Sequence, residues 1–189
     1  EEADLSGANL SGANLSGANL TNANLTNSDL REIKLEAADL PGADLSNANL
    51  TGADLYGVYL ANGTLANATL IQTRLSSANL ENVDLTGADL TGATIFGAGL
   101  LSANLTGATL TETSFLSSNL SNIIGLNGRD LSSNNLSDTY LKNVDLSNTN
   151  LTGVNFSNAK FPDTDLTNAN LTNADLTGAI LTNAILTGA

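Results

Sequence analysis

Residues 3–22 read ADLSGANLSGANLSGANLTN, four successive copies of one five-residue motif. The motif recurs with a large apolar residue at its centre every five residues, from Leu5 to Leu120 and again from Leu126 to Leu186. There are 37 such centres: 33 are leucine, and the others are Ile95, Phe115, Phe156 and Phe161. A pattern this regular predicts one architecture for the whole chain.

A period of five residues fits neither an α-helix nor a flat β-strand. Successive centres would spiral around a helix, because each residue advances by about 100°. In a strand they would fall on opposite faces, because side chains alternate with a period of two. The centres can share one core only if the chain turns a corner in every repeat.

The residue two positions after each centre supplies this corner. It is Gly or Asn in 27 of the 37 repeats, as at Gly7 and Asn22, and both reach the positive φ that a type II turn needs at its third position. Two positions before the centre stands mostly Ala, and one position before it stands mostly Asp or Asn. We predict that the centre and the alanine point inward, and that the Asp or Asn points outward.

A chain that turns in every repeat and stacks on itself closes most simply with four sides. Twenty residues then form one coil, and the 189 residues form roughly nine coils at the spacing of neighbouring strands, about 4.8 Å. Each coil pairs only with the coils above and below, as in other solenoids. The sequence therefore predicts an all-β fold and a single domain over residues 1–189, with a one-residue bulge near 121–126.

The motif A-[DN]-L-[ST]-[GN], as in Ala8–Gly12 and Ala88–Gly92, resembles the repeat of the pentapeptide repeat family. The resemblance covers essentially the whole chain. It implies a right-handed, quadrilateral parallel β-helix. It also implies kinship with proteins that are abundant in cyanobacteria, most of which have no known activity.

The composition argues against several kinds of site. The chain has no histidine and no cysteine, so it lacks the commonest general base, thiol chemistry and the usual transition-metal ligands. Its carboxylates are spread singly along the repeat, and it contains neither a calcium-binding loop nor a glycine-rich phosphate loop. We therefore predict no enzyme activity and no catalytic, cofactor-binding or metal-binding residues.

The net charge of −13 argues against direct nucleic-acid binding, which needs a basic patch, and favours a basic protein partner. No apolar run approaches 18 residues, so neither a transmembrane helix nor a membrane partner is expected. The sequence leaves the compartment open. It allows the cytoplasm or, for a processed chain, the periplasm or the thylakoid lumen.

Residues 20 apart should stack on one face, or 21 apart across the register slip. The first and second faces, centred on Leu5 and Leu10, carry mostly Asp and Asn before the centre and are predicted to be solvated or, alternatively, to form an acidic docking surface. On the third face, centred on Leu15, the same column predicts a ladder of surface ion pairs. Its members are Asn14, Lys34, Asp54 and Arg74.

Large apolar side chains at outward positions concentrate at the edge between the third face and the fourth, which is centred on Leu20. This apolar patch consists of Tyr56, Tyr59, Phe96, Leu101, Leu116 and Tyr140. Two interpretations remain open: the side chains stack on one another and stabilise the coils, or they form a binding surface for a protein.

The register slips between Leu120 and Leu126, where the spacing is six residues. We predict a bulge here, with Gly125 as its candidate and Asn127–Gly128 as a turn. Arg129 stands where the motif has alanine, so it should swing outward or find partners such as Asp130. The bulge is either a tolerated insertion or a recognition point.

Three functions are compatible with these features. The first is a structural scaffold that displays one face to a protein partner. The second is DNA mimicry at DNA gyrase, which some pentapeptide repeat proteins perform. The third is ice binding by the second face. Its residues after the centre are Thr91, Thr111, Ser132, Thr152 and Thr172, interrupted upstream by Arg31 and Ile71. The end coils also lack recognisable caps, so we expect either that capping segments have been removed or that the rods associate end to end.

Overall fold

The computed structural model describes residues 3–189, and within this range it contains no helix and only single-residue β-bridges. Each bridge is parallel and joins residues 20 positions apart, such as Asp4 to Asn24, or 21 positions apart across the register slip, such as Ser114 to Asn135. The chain therefore returns to the same line every 20 residues, as the five-residue period predicts. The described residues hold no helix that could span a membrane.

Each repeat turns through the two residues after its centre. In the first repeat, the Ala8 N–H donates to the Leu5 carbonyl at 3.0 Å, and Gly7 has a φ of 65°. These are the hydrogen bond and the positive φ of a type II turn. The residue two positions after the centre has positive φ in each repeat except that of Leu131, where Ser133 does not. The predicted corner is confirmed.

Three backbone hydrogen bonds per repeat join each coil to the next. The Leu5 N–H donates to the Asn24 carbonyl at 2.7 Å, and the Gly7 N–H donates to the Thr26 carbonyl at 2.8 Å. In the opposite direction, the Asn24 N–H donates to the Ala3 carbonyl at 2.9 Å. One N–H per repeat, that of the residue after the centre, then remains without a backbone partner.

Where Asp or Asn stands before the centre, its side-chain oxygen accepts this remaining N–H in most repeats. The Ser6 N–H donates to Asp4 Oδ1 at 3.1 Å, and the Thr21 N–H donates to Asn19 Oδ1 at 3.0 Å. Short polar side chains form such local bonds to the backbone two residues on. Asp and Asn therefore exchange freely in this column, because either one presents the required oxygen.

The centres and the alanines fill the interior, as predicted. Leu30 and Leu90 are fully buried, and so are the substitutes Ile95, Phe156 and Phe161. The rings of Phe156 and Phe161 meet edge to face with their centroids 4.9 Å apart, a favourable arrangement for aromatic side chains. The core is thus a continuous column of apolar side chains enclosed by the coils.

The register slip inserts one residue, Gly125, between the bridging residue Ile124 and the centre Leu126. The predicted turn at Asn127–Gly128 follows it. Added to Gly125, a Cβ atom would lie 2.4 Å from the Thr106 nitrogen, and its φ is +88°. The extra residue must be glycine, because it presses directly on the backbone of the coil below.

The coils part on the two faces next to the slip. By the pattern of the other repeats, Thr109 should bridge Asp130, but this bridge is missing from the described chain. Regular pairing resumes on the third face, where Ser114 bridges Asn135. The separation is therefore local, and the rod continues on both sides of it.

Candidate interaction surface

The apolar patch lies at the corner between the third and fourth faces and remains partly open to solvent. Tyr56 and Tyr59 are each 42% exposed, and Phe96 is 47% exposed. Leu101 and Leu116 are half-buried. The sixth member, Tyr140, is also exposed but lies beyond Asn119, with which it forms a bridge.

Part of this patch stacks on itself. The guanidinium of Arg74 lies over the Tyr56 ring, with its Cζ 4.4 Å from the ring centroid, within the range of a cation–π contact. Ser76 occupies the outward column between Tyr56 and Phe96 and is only 7% exposed. Stacking of neighbours therefore covers small residues, while the large rings keep an exposed surface.

The predicted ladder of ion pairs is wrong for Lys34. Within residues 3–189, side-chain ion pairs form between Arg74 and Asp54 at 2.9 Å and between Arg31 and Asp29 at 2.6 Å. Asp54 bridges Lys34 through the backbone, but its carboxylate accepts from the Tyr56 N–H and from Arg74 instead. The ladder is thus reduced to one pair next to the apolar patch.

Opposing effects act on the pKa of Asp54. Burial raises this pKa. The hydrogen bonds from the Tyr56 N–H and from Arg74, together with the charge of Arg74, lower it by more than burial raises it, so the pKa lies below its ordinary value. Asp54 is therefore ionised at neutral pH. As an anion it holds Arg74 in place over the Tyr56 ring.

Arg129 finds partners, but they are backbone carbonyls rather than the expected Asp130. Its Nη1 donates to the carbonyls of Leu105 at 3.0 Å and Gly125 at 3.2 Å, and its Nη2 donates to the carbonyl of Ala108. Burial lowers the pKa of Arg129. The side chain turns inward, and one of the carbonyls that it reaches, that of Ala108, has no backbone donor from the next coil.

Asn134 also stands where the motif has alanine, and its side chain acts in the same way. Its Nδ2 donates to the carbonyls of Leu110 at 2.6 Å and Thr113 at 3.0 Å. The residue is 5% exposed, and its Oδ1 has no hydrogen-bond partner in the described part of the chain. Arg129 and Asn134 together bind the lower coil where backbone pairing is interrupted.

A shallow cleft of about 300 Å³ opens at the slip. Its lining residues are Thr106, Gly107, Gly125, Asn127 and Arg129. The described residues contain no group of three or more acidic side chains placed to hold a metal ion. Gly125 and Arg129, the two predicted bulge residues, both line this cleft. The cleft lies at the register slip, away from the apolar patch.

Threonine hydroxyls on the second face are engaged within the protein. Thr91 donates to Asp89 at 2.6 Å, and Thr172 donates to Asn170 at 2.6 Å. Their protons point to the neighbouring Asp or Asn rather than to solvent. This geometry does not favour the ordered array of free hydroxyls that ice binding would use.

Comparison with known proteins gives the family. The model for pentapeptide repeats matches in eight copies over residues 1–36, 28–65, 53–92, 64–100, 88–124 and 149–188. The chain therefore belongs to the pentapeptide repeat family, whose members are known as right-handed β-helices. The interval without a match, 125–148, contains Gly125, Arg129 and Asn134.

Solved structures agree with this assignment. HetL, a pentapeptide repeat protein involved in heterocyst differentiation regulation from the cyanobacterium Nostoc sp. strain PCC 7120, is 31% identical, with 97% of this chain and 87% of that chain covered and a TM-score of 0.64. QnrB1, a plasmid-mediated fluoroquinolone resistance protein, is 18% identical, with 90% of each chain covered and a TM-score of 0.54. Because the identity is only 18%, the likeness to QnrB1 shows that the two proteins share a fold and nothing about function. No curated protein matches the sequence.

Proposed function

We propose that this chain is a non-enzymatic scaffold that presents the apolar patch to a protein partner. The observation that carries the proposal is the exposure of Tyr56, Tyr59 and Phe96, each above 40%, on a rod whose other outward positions are mostly small or polar. A contiguous exposed apolar surface with aromatic side chains is typical of protein interfaces.

The proposal includes the finer description of the scaffold. We take it to be a quadrilateral β-helix of about nine coils, in which neighbouring coils are separated by the distance between paired strands. It is right-handed, as in the family, and residues 1–189 form one domain. The likeness to HetL supports this description over nearly the whole chain. A rigid rod of this kind holds outward side chains at fixed spacing, which suits a binding surface better than a catalytic cleft.

Charge and kinship describe the partner in broad terms. A net charge of −13 favours a basic protein and disfavours direct contact with nucleic acid or with an anionic membrane surface. HetL is involved in regulating differentiation, which supports a regulatory role exerted through protein contacts.

The test is a triple variant with Tyr56→Ser, Phe96→Ser and Leu116→Ser. All three residues lie in one outward column, so the fold should persist. Capture of the native partner from the host should be lost. Ile71→Ser, Thr91→Ser and Thr111→Ser make a matched control, because these residues occupy the same column position on the second face.

Circular dichroism and thermal unfolding would verify that both triple variants remain folded. Retention of the partner by the apolar-patch variant would refute the proposal. Equal loss with the control variant would also refute it, since binding would then not depend on this corner. Only selective loss supports the patch as the interface.

Binding to DNA gyrase remains an alternative hypothesis. It draws on the acidity of the chain, whereas the likeness to QnrB1 concerns the fold alone. A supercoiling assay with purified gyrase tests it: absence of inhibition at micromolar protein would exclude it. Ice binding also stays a prediction, which a measurement of thermal hysteresis would test. End-to-end association stays a prediction too, and light scattering over a concentration series would test it.

A further inference from the structure

Gly99 is the one glycine that neither backbone conformation nor packing explains. Of the 17 glycines, all but Gly63 and Gly99 have positive φ. A Cβ on Gly63 would lie 2.9 Å from the Ala43 carbonyl oxygen, so packing requires glycine there. A Cβ on Gly99 would meet nothing within 4 Å. A glycine inside a strand weakens it and often marks a place where a ligand or another backbone approaches closely.

Gly99 lies inside the apolar patch. It occupies the outward position before the centre Leu100, and bridges Asn79 on one side and Asn119 on the other. Its neighbours along the chain at the outward positions are Phe96 and Leu101. The missing side chain therefore leaves a notch one residue wide, with amide side chains above and below it and apolar side chains to the left and right.

The notch also exposes a hydrogen-bond donor. In the adjacent coils, Asn79 Oδ1 accepts the Glu81 N–H and Asn119 Oδ1 accepts the Ser121 N–H, each at 3.0 Å. Gly99 has no side chain to accept the equivalent N–H of Leu101, which has no partner within residues 3–189. An oxygen atom from another molecule can take the place that the Asn oxygen fills in the neighbouring coils.

Charge next to the notch is negative. Glu81 lies one coil from Leu101 in the same outward column, since the Asn82 N–H donates to the Leu101 carbonyl. Glu81 forms no ion pair in the described chain: Arg74 is paired with Asp54, and Lys142 lies in the same outward column but two coils beyond Leu101. An incoming segment that carries Lys or Arg would therefore be favoured beside the notch.

We infer that the notch at Gly99 receives an extended segment of a basic partner protein. One apolar side chain of that segment packs between Phe96 and Leu101, a backbone carbonyl accepts the Leu101 N–H, and a flanking Lys or Arg faces Glu81. This inference rests on the proposed function and specifies which chemistry the apolar patch recognises.

The test uses a defined probe, the capped heptapeptide KRGFGRK, titrated into the isotopically labelled full chain and followed by nuclear magnetic resonance. The largest amide shifts are expected at Phe96 and Leu101. Gly99→Asn should weaken binding about ten-fold or more, equivalent to about 1.4 kcal/mol, because its side chain fills the notch and caps the Leu101 N–H. Its melting temperature should stay equal or rise.

Three controls make the result decisive. Thr109→Asn introduces the same residue at the same position of a repeat on the second face, and should leave binding unchanged. The peptides KRGAGRK and EDGFGDE should bind at least several-fold more weakly than KRGFGRK. Equal binding of all three peptides, or shifts centred elsewhere, would overturn the inference.

The outcome is separable from that of the proposed function. If the Tyr56, Phe96 and Leu116 variant loses the native partner while Gly99→Asn retains it, the patch is the interface and the notch inference is wrong. If both variants retain the partner, both proposals fail. Concentration-dependent shifts at Phe96 and Leu101 without peptide would assign the notch to a second copy of the chain, and would also overturn the inference.

Discussion

The guanidinium of Arg129 donates a hydrogen bond of 3.0 Å to the carbonyl of Leu105, which lies in the coil below the register slip. In most repeats this position is alanine, and the backbone hydrogen bonds of the repeat join the two coils. Here Gly125 lengthens the chain by one residue, the coils part, and long side chains reach the exposed carbonyls. The slip, Gly125, Arg129 and Asn134 therefore form one structural unit.

Replacing Arg129 by leucine should destabilise the protein. The substitution retains apolar volume but removes the donor to the Ala108 carbonyl, whereas the Leu105 carbonyl still accepts the Ala108 N–H at 3.0 Å. A buried acceptor left unsatisfied costs about 1–3 kcal/mol. Urea unfolding should show a lower midpoint, and amide exchange should increase on both sides of the slip.

The matched control is Arg31→Leu. Arg31 pairs with Asp29 at 2.6 Å, but its side chain is 54% exposed. Exposed ion pairs contribute little to stability, so this variant should unfold close to the wild type. If both variants lose the same stability, the effect of Arg129 would reflect its charge and not its contacts with the lower coil.

Gly125→Ala should be more damaging than substitution of an ordinary turn glycine. The added Cβ would approach the Thr106 backbone to 2.4 Å, and the residue has a φ of +88°. At Gly153, which also has positive φ, the added Cβ would meet nothing within 4 Å. Thermal unfolding of Gly125→Ala and Gly153→Ala separates steric contact from backbone strain, and similar losses would contradict the close packing at the slip.

The five-residue period predicts the core because it depends only on local turn chemistry. The positive φ at Gly7 and Asn22 and the burial of Leu30 and Phe156 follow from residue types within one repeat. The role of the Asp and Asn column is also local. The i to i+2 bond from Ser6 to Asp4 could have been inferred from the known chemistry of these side chains.

What the sequence could not supply are contacts between coils. Which carbonyls Arg129 reaches depends on how far two segments 24 residues apart have separated. The exposure of the patch is non-local as well. Leu116 is half-buried although Phe96, in the same column, is 47% exposed. Gly99 stands one position before its centre, where the motif has Asp or Asn, so the sequence separates it from the turn glycines; the open space beside it is visible only in the structure.

Acid should weaken the fold through carboxylates that accept the N–H after the centre. The hydroxyl and the N–H of Thr167 lower the pKa of Asp165, and Thr177 does the same for Asp175. A carboxyl whose pKa is lower in the folded state stabilises the protein above its ordinary pKa, about 3.9 in the unfolded chain. That contribution is lost as the pH falls through the lower, folded-state pKa.

The double variant Asp165→Asn and Asp175→Asn isolates this effect. Asn accepts the same N–H, as Asn170 does from Thr172 at 3.1 Å, but does not titrate. The free energy of unfolding of the variant should therefore fall less than that of the wild type between pH 6 and pH 2. Asn170→Asp should act in the opposite direction, and identical pH profiles for all three proteins would contradict the assignment.

The register slip should be removable if its parts are changed together. Deleting Gly125 restores the five-residue spacing, but by itself it should destabilise the rod, because Arg129 and Asn134 would then be confined between closed coils. With Arg129→Ala and Asn134→Ala added, the repeats after the slip regain alanine two positions before the centre. The combined variant should unfold at or above the urea midpoint of the wild type.

Amide exchange provides the direct measure of this closure. The N–H groups of Gly107 and Leu110 make no backbone hydrogen bond to the next coil, unlike their equivalents Gly87 and Leu90. Regular stacking would give each of them a carbonyl partner, and a backbone hydrogen bond contributes about 0.5–1.5 kcal/mol. Exchange at both groups should slow to the rates of Gly87 and Leu90. If these groups stay unprotected in the combined variant, the coils remain apart, and the separation is then caused by something other than Gly125 and the two long side chains.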